Sequence, residues 1–373
     1  MLCTSRGRHQ ETNAANISRD GTRTAEIGSP SQVPRPIDVA SFDDLGSWRF
    51  DVFAVPDTAL PSLAAALLRL RRPGVDAAAL GAFVSRVSRL YRPQNPYHNF
   101  RHGLDVAQAL FAFCEGRLLG DADTTRTWGG DGVFSLTADE VFAAVLCGLC
   151  HDVDHPGVGN GYLVHSGHPL ATRHNDLAVL EQWHAFATWR VLRKPDCAGV
   201  LAGLDVAAFR KLTIAGILAT DMARHGDVLK GVEAFDDGNA PRPSRVLQLF
   251  GGLVHAADVS NPAKPWALSK KWSDLVTVEF FAQGDREKAE GLPVSFGMDR
   301  ATSSQRGVAI GFGSKLVAPF YRAVSSLSSD IQPIVELLDD NVRVWTELGD
   351  VGAVAAPAAS DAPRAAASEA PAA

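Results

Sequence analysis

The sequence predicts an all-α fold, and two observations support this prediction. Apolar residues recur three and four positions apart in many segments, whereas the alternating pattern of a half-buried strand is nearly absent. The helical pattern also occurs in more segments than a simple four-helix bundle needs, so we expect a compact multi-helix domain. The predicted helices cover 60–70, 103–115, 139–150, 175–192, 205–219, 244–257, 265–283 and 305–324.

Two of these segments carry the helical signals most clearly. Residues 60–70 (LPSLAAALLRL) combine strong helix formers with apolar residues at a spacing of three and four. Residues 139–150 (DEVFAAVLCGLC) begin with acidic residues, which suit a helix N-terminus, and are then apolar on every side, which is typical of a buried helix. Thr137 and Glu140 have the spacing of a capping box for that helix.

Both ends of the chain differ in composition from its interior. Residues 1–40 are polar, with Pro and Gly and no periodicity, and residues 349–373 form an Ala/Pro-rich segment of low complexity. We therefore expect two disordered tails around one folded domain at 41–348, in which no linker or repeat is visible.

Composition limits the classes of partner. Apolar residues make up 46% of the chain, and the net charge is −6 without blocks of like charge, so nucleic acid is not an expected partner. No apolar run has the length of a membrane span, and the N-terminus lacks the apolar stretch of a secretory signal. We therefore interpret the cysteines as reduced, buried thiols and expect a cytoplasmic protein.

His and Asp residues are concentrated in four segments next to apolar or Pro/Gly-bounded stretches, at 97–102, 151–155, 175–184 and 255–258. In the first of them, His98 and His102 are four residues apart and would share one face of a helix, with Pro96 suited to its start. Such a pair also arises by chance on protein surfaces, so alone it is weak evidence for a metal site.

The stretch CGLCHDVDHPG at 147–157 permits two interpretations. Cys147, Cys150 and His151 have the spacing of a c-type haem attachment site, whereas His151 and Asp152 also suit a metal ion at the end of an apolar helix. Covalent haem attachment needs export, for which no signal is visible, and small thiols pack well in an apolar helix. We prefer the metal interpretation over haem and over a Cys-Cys-His zinc site; a solvated helix end remains the alternative.

Asp258 also ends an apolar stretch, after FGGLVHAA. A carboxylate buried there without a partner would cost several kcal/mol, which favours a cation nearby. Two His and two Asp would form a mixed nitrogen and oxygen site suited to zinc or a similar ion. A carboxylate shared with a second ion would give the paired-metal arrangement that acts on phosphate esters.

Six motifs, in order, resemble the catalytic domain of class I 3′,5′-cyclic nucleotide phosphodiesterases: YHNFRH, HDVDHPG, NDLAVLEQWH, LATDM, HAADVSNP and EFFAQGDREKAEG. The resemblance covers about residues 42–347. It implies an all-helical domain of the HD-type phosphohydrolase fold with a deep pocket for two metal ions. The context of LATDM and HAADVSNP is more similar to members that prefer cyclic AMP.

The resemblance also implies a role for individual residues of the metal pocket. The ligands of the tighter ion, usually zinc, would be His102, His151, Asp152 and Asp258. Asp152 would bridge to a second ion, Mg²⁺ or Mn²⁺. The residues that hold water molecules of the second ion would be His155, Glu181 and Thr220. A hydroxide between the two ions would attack phosphorus, and His98 would be the general acid that protonates the leaving O3′.

For the base of the nucleotide, the resemblance implies a second set of residues. Phe312 and Val276 would stack on a purine, Asn261 would bond its edge, and the pocket walls would include Met222 and Trp272. Two positions depart from the family, because Ala309 replaces a glutamine that contacts the purine and Ser269 replaces an aromatic residue. An open alternative is that Gln305, four residues before Ala309 on the same helical face, contacts the base.

The expected activity is therefore metal-dependent hydrolysis of a 3′,5′-cyclic nucleotide to the 5′-monophosphate. Cyclic AMP is slightly favoured over cyclic GMP, or both are substrates. Two alternatives stay open: a pseudo-enzyme that binds a nucleotide without hydrolysis, which Ala309 would favour, and an HD-type phosphohydrolase of another phosphate ester. The chain would carry no membrane span, and a homodimer is an open possibility.

Overall fold

A computed structural model describes residues 45–115, 126–129, 134–235 and 240–349 of the chain. Across these ranges the regular structure is helical, and the single β feature is an isolated bridge between Trp128 and Phe134. The predicted all-α class is confirmed. The predicted tails at 1–40 and 349–373 lie outside the described residues, apart from Gly349, and stay a prediction.

The α-helices of the described ranges are α1 Leu60–Arg71, α2 Ala77–Leu90, α3 Phe100–Glu115, α4 Ala138–Cys150, α5 Asn160–His165, α6 Pro169–Arg173, α7 Val179–Leu192, α8 Val206–Leu218, α9 His225–Glu233, α10 Arg242–Asp258, α11 Trp266–Ala289, α12 Gln305–Phe312, α13 Ala318–Leu327 and α14 Gln332–Glu347. Helix α4 lies at the centre and packs against α1, α3, α8 and α10. None of the helices in the described ranges is long and apolar enough to cross a membrane.

The central helix α4 forms as its sequence indicates. The Thr137 side chain accepts a hydrogen bond from the Glu140 backbone N–H, and the Glu140 carboxylate accepts one from the Thr137 N–H, so the predicted capping box is confirmed. All residues from Val141 to Cys150 are buried. A Cβ on Gly148 would lie 2.9 Å from backbone atoms of Ala107, so this glycine permits α3 and α4 to approach closely.

The two thiols of the haem-like motif lie on α4 and are packed in the core. Cys147 and Cys150 are fully buried, and Cys147 Sγ lies 3.5 Å from the Thr213 carbonyl oxygen. Burial raises the pKa of the Cys150 thiol to about 12, so neither a thiolate ligand nor a reactive thiol is favoured at that position. Their environment agrees with packing rather than with haem attachment.

Two predicted helix starts differ from the structure. Helix α3 starts at Phe100 rather than near Pro96, so His98 precedes the helix and does not share a helical face with His102. Helix α7 starts at Val179 rather than at Asn175. The reason is local backbone geometry, because the residues at 175, 176 and 178 have positive φ values of 52°, 60° and 44°, outside the α-helical region.

The predicted helix at 305–324 is not continuous. Helices α12 and α13 are separated by a π-helical turn at Gly313–Val317, which places an extra residue in the helix and changes the face that α13 presents. Helices α2, α5, α6, α9 and α14 have no counterpart among the predicted helices. The other predicted helices agree with the structure within a few residues of their ends, except that α11 extends further, to Ala289.

Candidate metal centre and adjoining cavity

Four side chains from three helices meet at one point in the core. His102 lies in the first turn of α3, His151 and Asp152 follow the last residue of α4, and Asp258 is the last residue of α10. One potential ligand atom of each lies within 4.8 Å of the others. Both imidazoles are fully buried, and Asp152 is only 9% exposed. The structure therefore brings together all four residues that the sequence singled out as metal ligands.

The imidazole nitrogens and carboxylate oxygens of this cluster lie within ion-pair distance of one another. His151 Nε2 lies 3.1 Å from Asp152 Oδ2 and 3.1 Å from Asp258 Oδ1. His102 Nε2 lies 3.3 Å from Asp258 Oδ1. Two carboxylates this close repel each other unless a proton or a metal ion lies between them and the imidazoles.

The Nδ1 atom of His151 is hydrogen-bonded to the backbone, so Nε2 is the atom that faces the cluster. Its Nδ1–H donates to the Gly148 carbonyl oxygen at 2.8 Å, so Nε2 carries the lone pair in the neutral ring. Nε2 is buried and makes no hydrogen bond. Burial lowers the pKa of His151, but the carboxylates of Asp152 and Asp258 outweigh it and raise that pKa well above its ordinary value. The two carboxylates favour a positive charge at Nε2, and a divalent cation would supply that charge in place of a proton, so the residues fit a metal ion.

Asp152 belongs to a second cluster as well, with His155 and His184. The His184 ring donates from Nδ1 to the Val153 carbonyl oxygen at 2.8 Å, and its Nε2 is buried without a hydrogen bond, 3.7 Å from Asp152 Oδ1. The sequence did not single out His184 as functional. A signal for it exists, because it lies three residues after Glu181 and so on the same face of α7.

The residues predicted to hold metal-bound water lie around this second cluster. Glu181 is buried on α7 and accepts from Asn160 Nδ2 at 2.9 Å. Burial raises the pKa of Glu181 to about 7. Thr220 is buried after α8 and donates its hydroxyl hydrogen to the Ile217 carbonyl oxygen at 2.8 Å. Thus both side chains are ordered by the protein.

His155 is held in one tautomer. Its Nδ1 accepts from the Gly157 backbone N–H at 3.0 Å, which leaves the ring hydrogen on Nε2. Burial, together with the positive charge of His98, lowers the pKa of His155 well below its ordinary value. The two rings stack with centroids 4.0 Å apart. His155 is therefore a neutral Nε2–H donor beside His98.

His98 is oriented by a carboxylate that the sequence did not reveal as functional. Its Nδ1 forms a short hydrogen bond with Glu279 Oε1, and Glu279 Oε2 also accepts from the backbone N–H of Tyr97 at 2.9 Å and of His98 at 3.1 Å. Burial lowers the pKa of His98, but Glu279 and then Asp152 outweigh burial and raise it to about 9. At neutral pH His98 therefore carries a proton that it can donate.

A cavity of about 200 Å³ opens from the metal cluster towards α11, α12 and α14. His98 and Asp258 lie in its wall at the end nearest the cluster. The predicted base-pocket residues that line it are Asn261, Phe312, Val276, Met222 and Trp272. Met222 is 42% exposed and lies at the rim, whereas Trp272 is buried. The two positions at which the chain departs from the family, Ser269 and Ala309, line the same cavity.

The amide of Asn261 is fixed in orientation by its neighbours. Its Oδ1 accepts from the Tyr97 hydroxyl at 2.5 Å, and its Nδ2 donates to Asp105 Oδ2 at 3.3 Å. Because a carboxylate can only accept, Nδ2 must be the atom that faces Asp105. Lys264, fully buried, lies 3.4 Å from the other oxygen of Asp105. A buried charged network therefore supports this cavity residue.

Gln305 does not occupy the place that the sequence alternative gave it. Its Nε2 donates to Asp274 Oδ1 at 2.6 Å and to Ser273 Oγ at 3.2 Å, and the residue is absent from the cavity wall. The expectation that Gln305 contacts the base is therefore corrected. The physical reason is that Asp274, a charged acceptor, lies within reach of its amide and offers a stronger hydrogen bond than a distant base.

Comparison with known proteins gives one family and several relatives. The model of the 3′,5′-cyclic nucleotide phosphodiesterase family matches residues 97–338. The chain is 32% identical over 322 residues to a probable 3′,5′-cyclic-AMP phosphodiesterase, pde-4, of Caenorhabditis elegans, which covers 81% of this chain and 45% of that protein. It is 30% identical over 248 residues to the human high affinity cGMP-specific 3′,5′-cyclic phosphodiesterase 9A, which covers 65% of this chain and 39% of that protein.

Among solved structures, the phosphodiesterase domain of the RhoPDE fusion protein from the choanoflagellate Salpingoeca rosetta is 26% identical to the chain, with a TM-score of 0.72. That match covers 83% of this chain and 96% of the solved domain. The chain spans about half of the length, or less, of the curated relatives that it matches. The likeness therefore concerns the folded domain.

Proposed function

The chain belongs to the 3′,5′-cyclic nucleotide phosphodiesterase family, and from this premise we propose that it hydrolyses a 3′,5′-cyclic nucleotide to the 5′-monophosphate. The observation that carries the proposal is that four ligand atoms converge within 4.8 Å at the inner end of a cavity. His98 lies in the cavity wall beside this cluster. The cavity offers room for a base, and the cluster offers a place for the phosphodiester.

Two divalent ions are part of the proposal. The tighter ion, Zn²⁺, would be held by His102, His151, Asp152 and Asp258. Asp152, which lies in both His/Asp clusters, would share the second ion, Mg²⁺ or Mn²⁺. When bound, the ions supply Lewis acidity to the phosphoryl group and to the attacking water. The buried Nε2 of His151, which lies 3.1 Å from a carboxylate oxygen of Asp152 and of Asp258, supports this assignment.

His98 is proposed as the general acid. Hydrolysis of the cyclic ester breaks the bond between phosphorus and O3′, and the departing alkoxide needs a proton. The hydrogen bond from Nδ1 to Glu279 leaves Nε2–H of His98 as the donor to O3′. A charged His98 also stabilises negative charge that develops on the leaving oxygen. Glu279 acts through His98 and is a positioning residue.

The surrounding polar side chains would orient water. His155 is a neutral Nε2–H donor, and Glu181 and Thr220 are held in place by the protein. We propose that these three side chains hold the water molecules of the second ion. His184, whose Nε2 is a buried lone pair directed at the Asp152 side, is the fourth member of this set.

For the base, we propose stacking between Phe312 and Val276 and a hydrogen bond to Asn261, with Met222 and Trp272 as walls. All five line the cavity. Cyclic AMP is the slightly favoured substrate, which the C. elegans relative named for cyclic AMP supports. The human relative named for cyclic GMP supports the alternative that both nucleotides are substrates. A cytoplasmic location and a homodimer stay predictions.

The test is a steady-state comparison of cyclic AMP and cyclic GMP with Mg²⁺ or Mn²⁺ added, followed by separation of the products. We expect the 5′-monophosphate, and no 3′-monophosphate, from at least one of the two. Asp152→Ala is the matched inactive control. Tight nucleotide binding without turnover would indicate the pseudo-enzyme, and turnover of other phosphate esters alone would indicate a different phosphohydrolase.

A further inference from the structure

A groove that is separate from the cavity lies on the side of helix α7 that faces away from the metal centre. The residues of α7 that point towards the centre are Glu181 and His184, whereas a stripe at a spacing of three and four lines the groove. The members of that stripe are Gln182, Ala185, Phe186, Trp189, Arg190 and Arg193. Helix α8 forms the other wall with Arg210, Ile214 and Leu218, and the volume is about 590 Å³.

The groove is positively charged in a chain whose net charge is −6. Arg190, Arg193, Lys194 and Arg210 all line it. Within the described ranges none of these four forms an ion pair with a carboxylate, whereas Arg86 nearby pairs with Asp196. Cations gathered without acidic partners create a positive local potential, which attracts a negatively charged ligand.

Two of the arginines are already held in place by aromatic rings. The guanidinium carbon of Arg210 lies 4.7 Å from the ring centroid of Trp189, and that of Arg190 lies 5.7 Å from that of Phe186. Stacking uses the flat face of a guanidinium and leaves its N–H edge for a carboxylate. Arg190 Nε is in addition buried without a hydrogen bond. These donors are therefore ordered before any ligand arrives.

The apolar residues of the groove indicate more than a simple anion. Phe186 is 48% exposed, and Ile214 and Leu218 of α8 line the opposite wall. From Gln182 to Arg193 the stripe on α7 runs over about 16 Å, enough for about five residues of an extended chain. A ligand that suits both features carries several carboxylates and at least one apolar side chain.

Nucleic acid fits this groove less well. Single-stranded nucleic acid binds by stacking its bases on aromatic faces. Here Arg210 lies over one face of Trp189 and Arg190 over one face of Phe186, which leaves fewer ring faces for bases. The overall negative charge also opposes attraction of a polyanion over long range. We propose that the groove between α7 and α8 is a docking site for an acidic, partly apolar peptide segment of a partner protein.

The test measures binding of a fluorescein-labelled peptide rich in Glu, with Leu and Phe, to the full chain by fluorescence anisotropy. We expect saturable binding that weakens as salt is raised. The double variant Arg193→Glu/Arg210→Glu should bind the peptide about tenfold or more weakly, since two favourable charge contacts become repulsive. Phe186→Ala should weaken binding without a change in charge.

The matched control is Arg69→Glu/Lys315→Glu, which changes the net charge equally at two exposed positions outside the groove. It should leave the affinity within about twofold of the wild-type value. Both double variants should keep the wild-type melting temperature and cyclic nucleotide turnover, because none of the four side chains lies in the metal centre or its cavity.

Several outcomes would overturn the proposal. These are equal weakening by the control pair, equal affinity for the same peptide with Gln in place of Glu, and tighter binding of a single-stranded oligonucleotide than of the peptide. A fourth concerns the chain's own C-terminal segment. If Asp361→Asn/Glu369→Gln raised the affinity for the peptide, that segment rather than a partner would be the occupant.

Discussion

The substitution Glu279→Gln probes the proposed general acid without touching any proposed metal ligand. Glu279 is buried, and its carboxylate bonds His98 Nδ1 and two backbone N–H groups. Glutamine has nearly the same shape and keeps an oxygen acceptor, but it removes the negative charge. We therefore expect the geometry to persist while the pKa of His98 falls.

The size of the expected change in the pKa of His98 follows from the structure. The pKa of His98 is raised from 6.5 to about 9 against the effect of burial, and Glu279 is the principal cause of the rise. Opposite unit charges about 4 Å apart interact by about 4 kcal/mol at an effective dielectric constant of about 20, and one pKa unit corresponds to about 1.4 kcal/mol. Asp152 adds a smaller part of the rise. Removing the Glu279 charge should therefore lower the pKa of His98 by roughly two to three units, to about 7 or below.

The assay is the pH dependence of kcat/KM between about pH 6 and 10. A general acid acts in its protonated form, so the rate is retained below its pKa and lost as the pH rises through it. The alkaline limb should lie near pH 9 in the wild type. In Glu279→Gln it should lie at about pH 7 or below, with a rate at pH 8 lowered by about tenfold or more.

The control is Asp285→Asn, which removes an exposed carboxylate of the same helix that pairs with Arg300. It should leave the alkaline limb unchanged. A second control uses a substrate whose leaving group departs as a stable anion. That reaction should be nearly insensitive to His98→Ala. An alkaline limb that stays in place in Glu279→Gln would refute the assignment of His98 as the acid raised by Glu279.

Further outcomes are expected at three places. Asp152→Ala should abolish hydrolysis and lower bound metal, as measured by mass spectrometry of the purified protein, and near wild-type activity would contradict the site. Ala309→Gln should lower KM for a purine cyclic nucleotide in steady-state assays, whereas an unchanged or raised KM would mean that the base is held differently. Lys264→Met should destabilise the fold by about 3–5 kcal/mol in chemical denaturation, since it leaves Asp105 buried and unpaired. The double variant Lys264→Met/Asp105→Asn should recover part of that loss; a loss equal to the sum of the single variants would show that the two residues do not interact.

The fold class and the metal cluster could be predicted because their signals are local. The apolar period of α4 and its capping box at Thr137 fix that helix from its own sequence. His151, Asp152 and Asp258 stand out because each is a polar group at the end of an apolar helix, where only a partner makes burial tolerable. No tertiary information was needed to identify them.

The errors occur where the backbone departs from regular geometry. Asn175 and Asp176 have helical neighbours in sequence but left-handed φ values in the structure, which shortens α7. The π-helical turn at Gly313–Val317 interrupts a segment whose composition favours a continuous helix. Composition and periodicity do not record such exceptions, because tertiary packing around the cavity selects them.

The sequence also could not reveal which residues form hydrogen bonds with individual side chains of the site. Glu279 lies 181 residues from His98, and nothing in its own segment shows that it bonds an imidazole. Gln305 was placed near the base by helical spacing alone, whereas Asp274, on another helix, binds its amide. The unpaired cations of the groove between α7 and α8 look like ordinary solvent-exposed residues in the sequence, and only their convergence across two helices distinguishes them.

The central claim is that the centre of His102, His151, Asp152 and Asp258 makes the chain a metal-dependent cyclic nucleotide phosphodiesterase. The most direct measurement is turnover of cyclic AMP and cyclic GMP in samples stripped with a chelator and reloaded stepwise with Zn²⁺ and Mg²⁺ or Mn²⁺, with bound metal measured in each. We predict that formation of the 5′-monophosphate rises in proportion to metal at the centre and is absent from the stripped protein. Full metal loading without turnover of either nucleotide would contradict the claim.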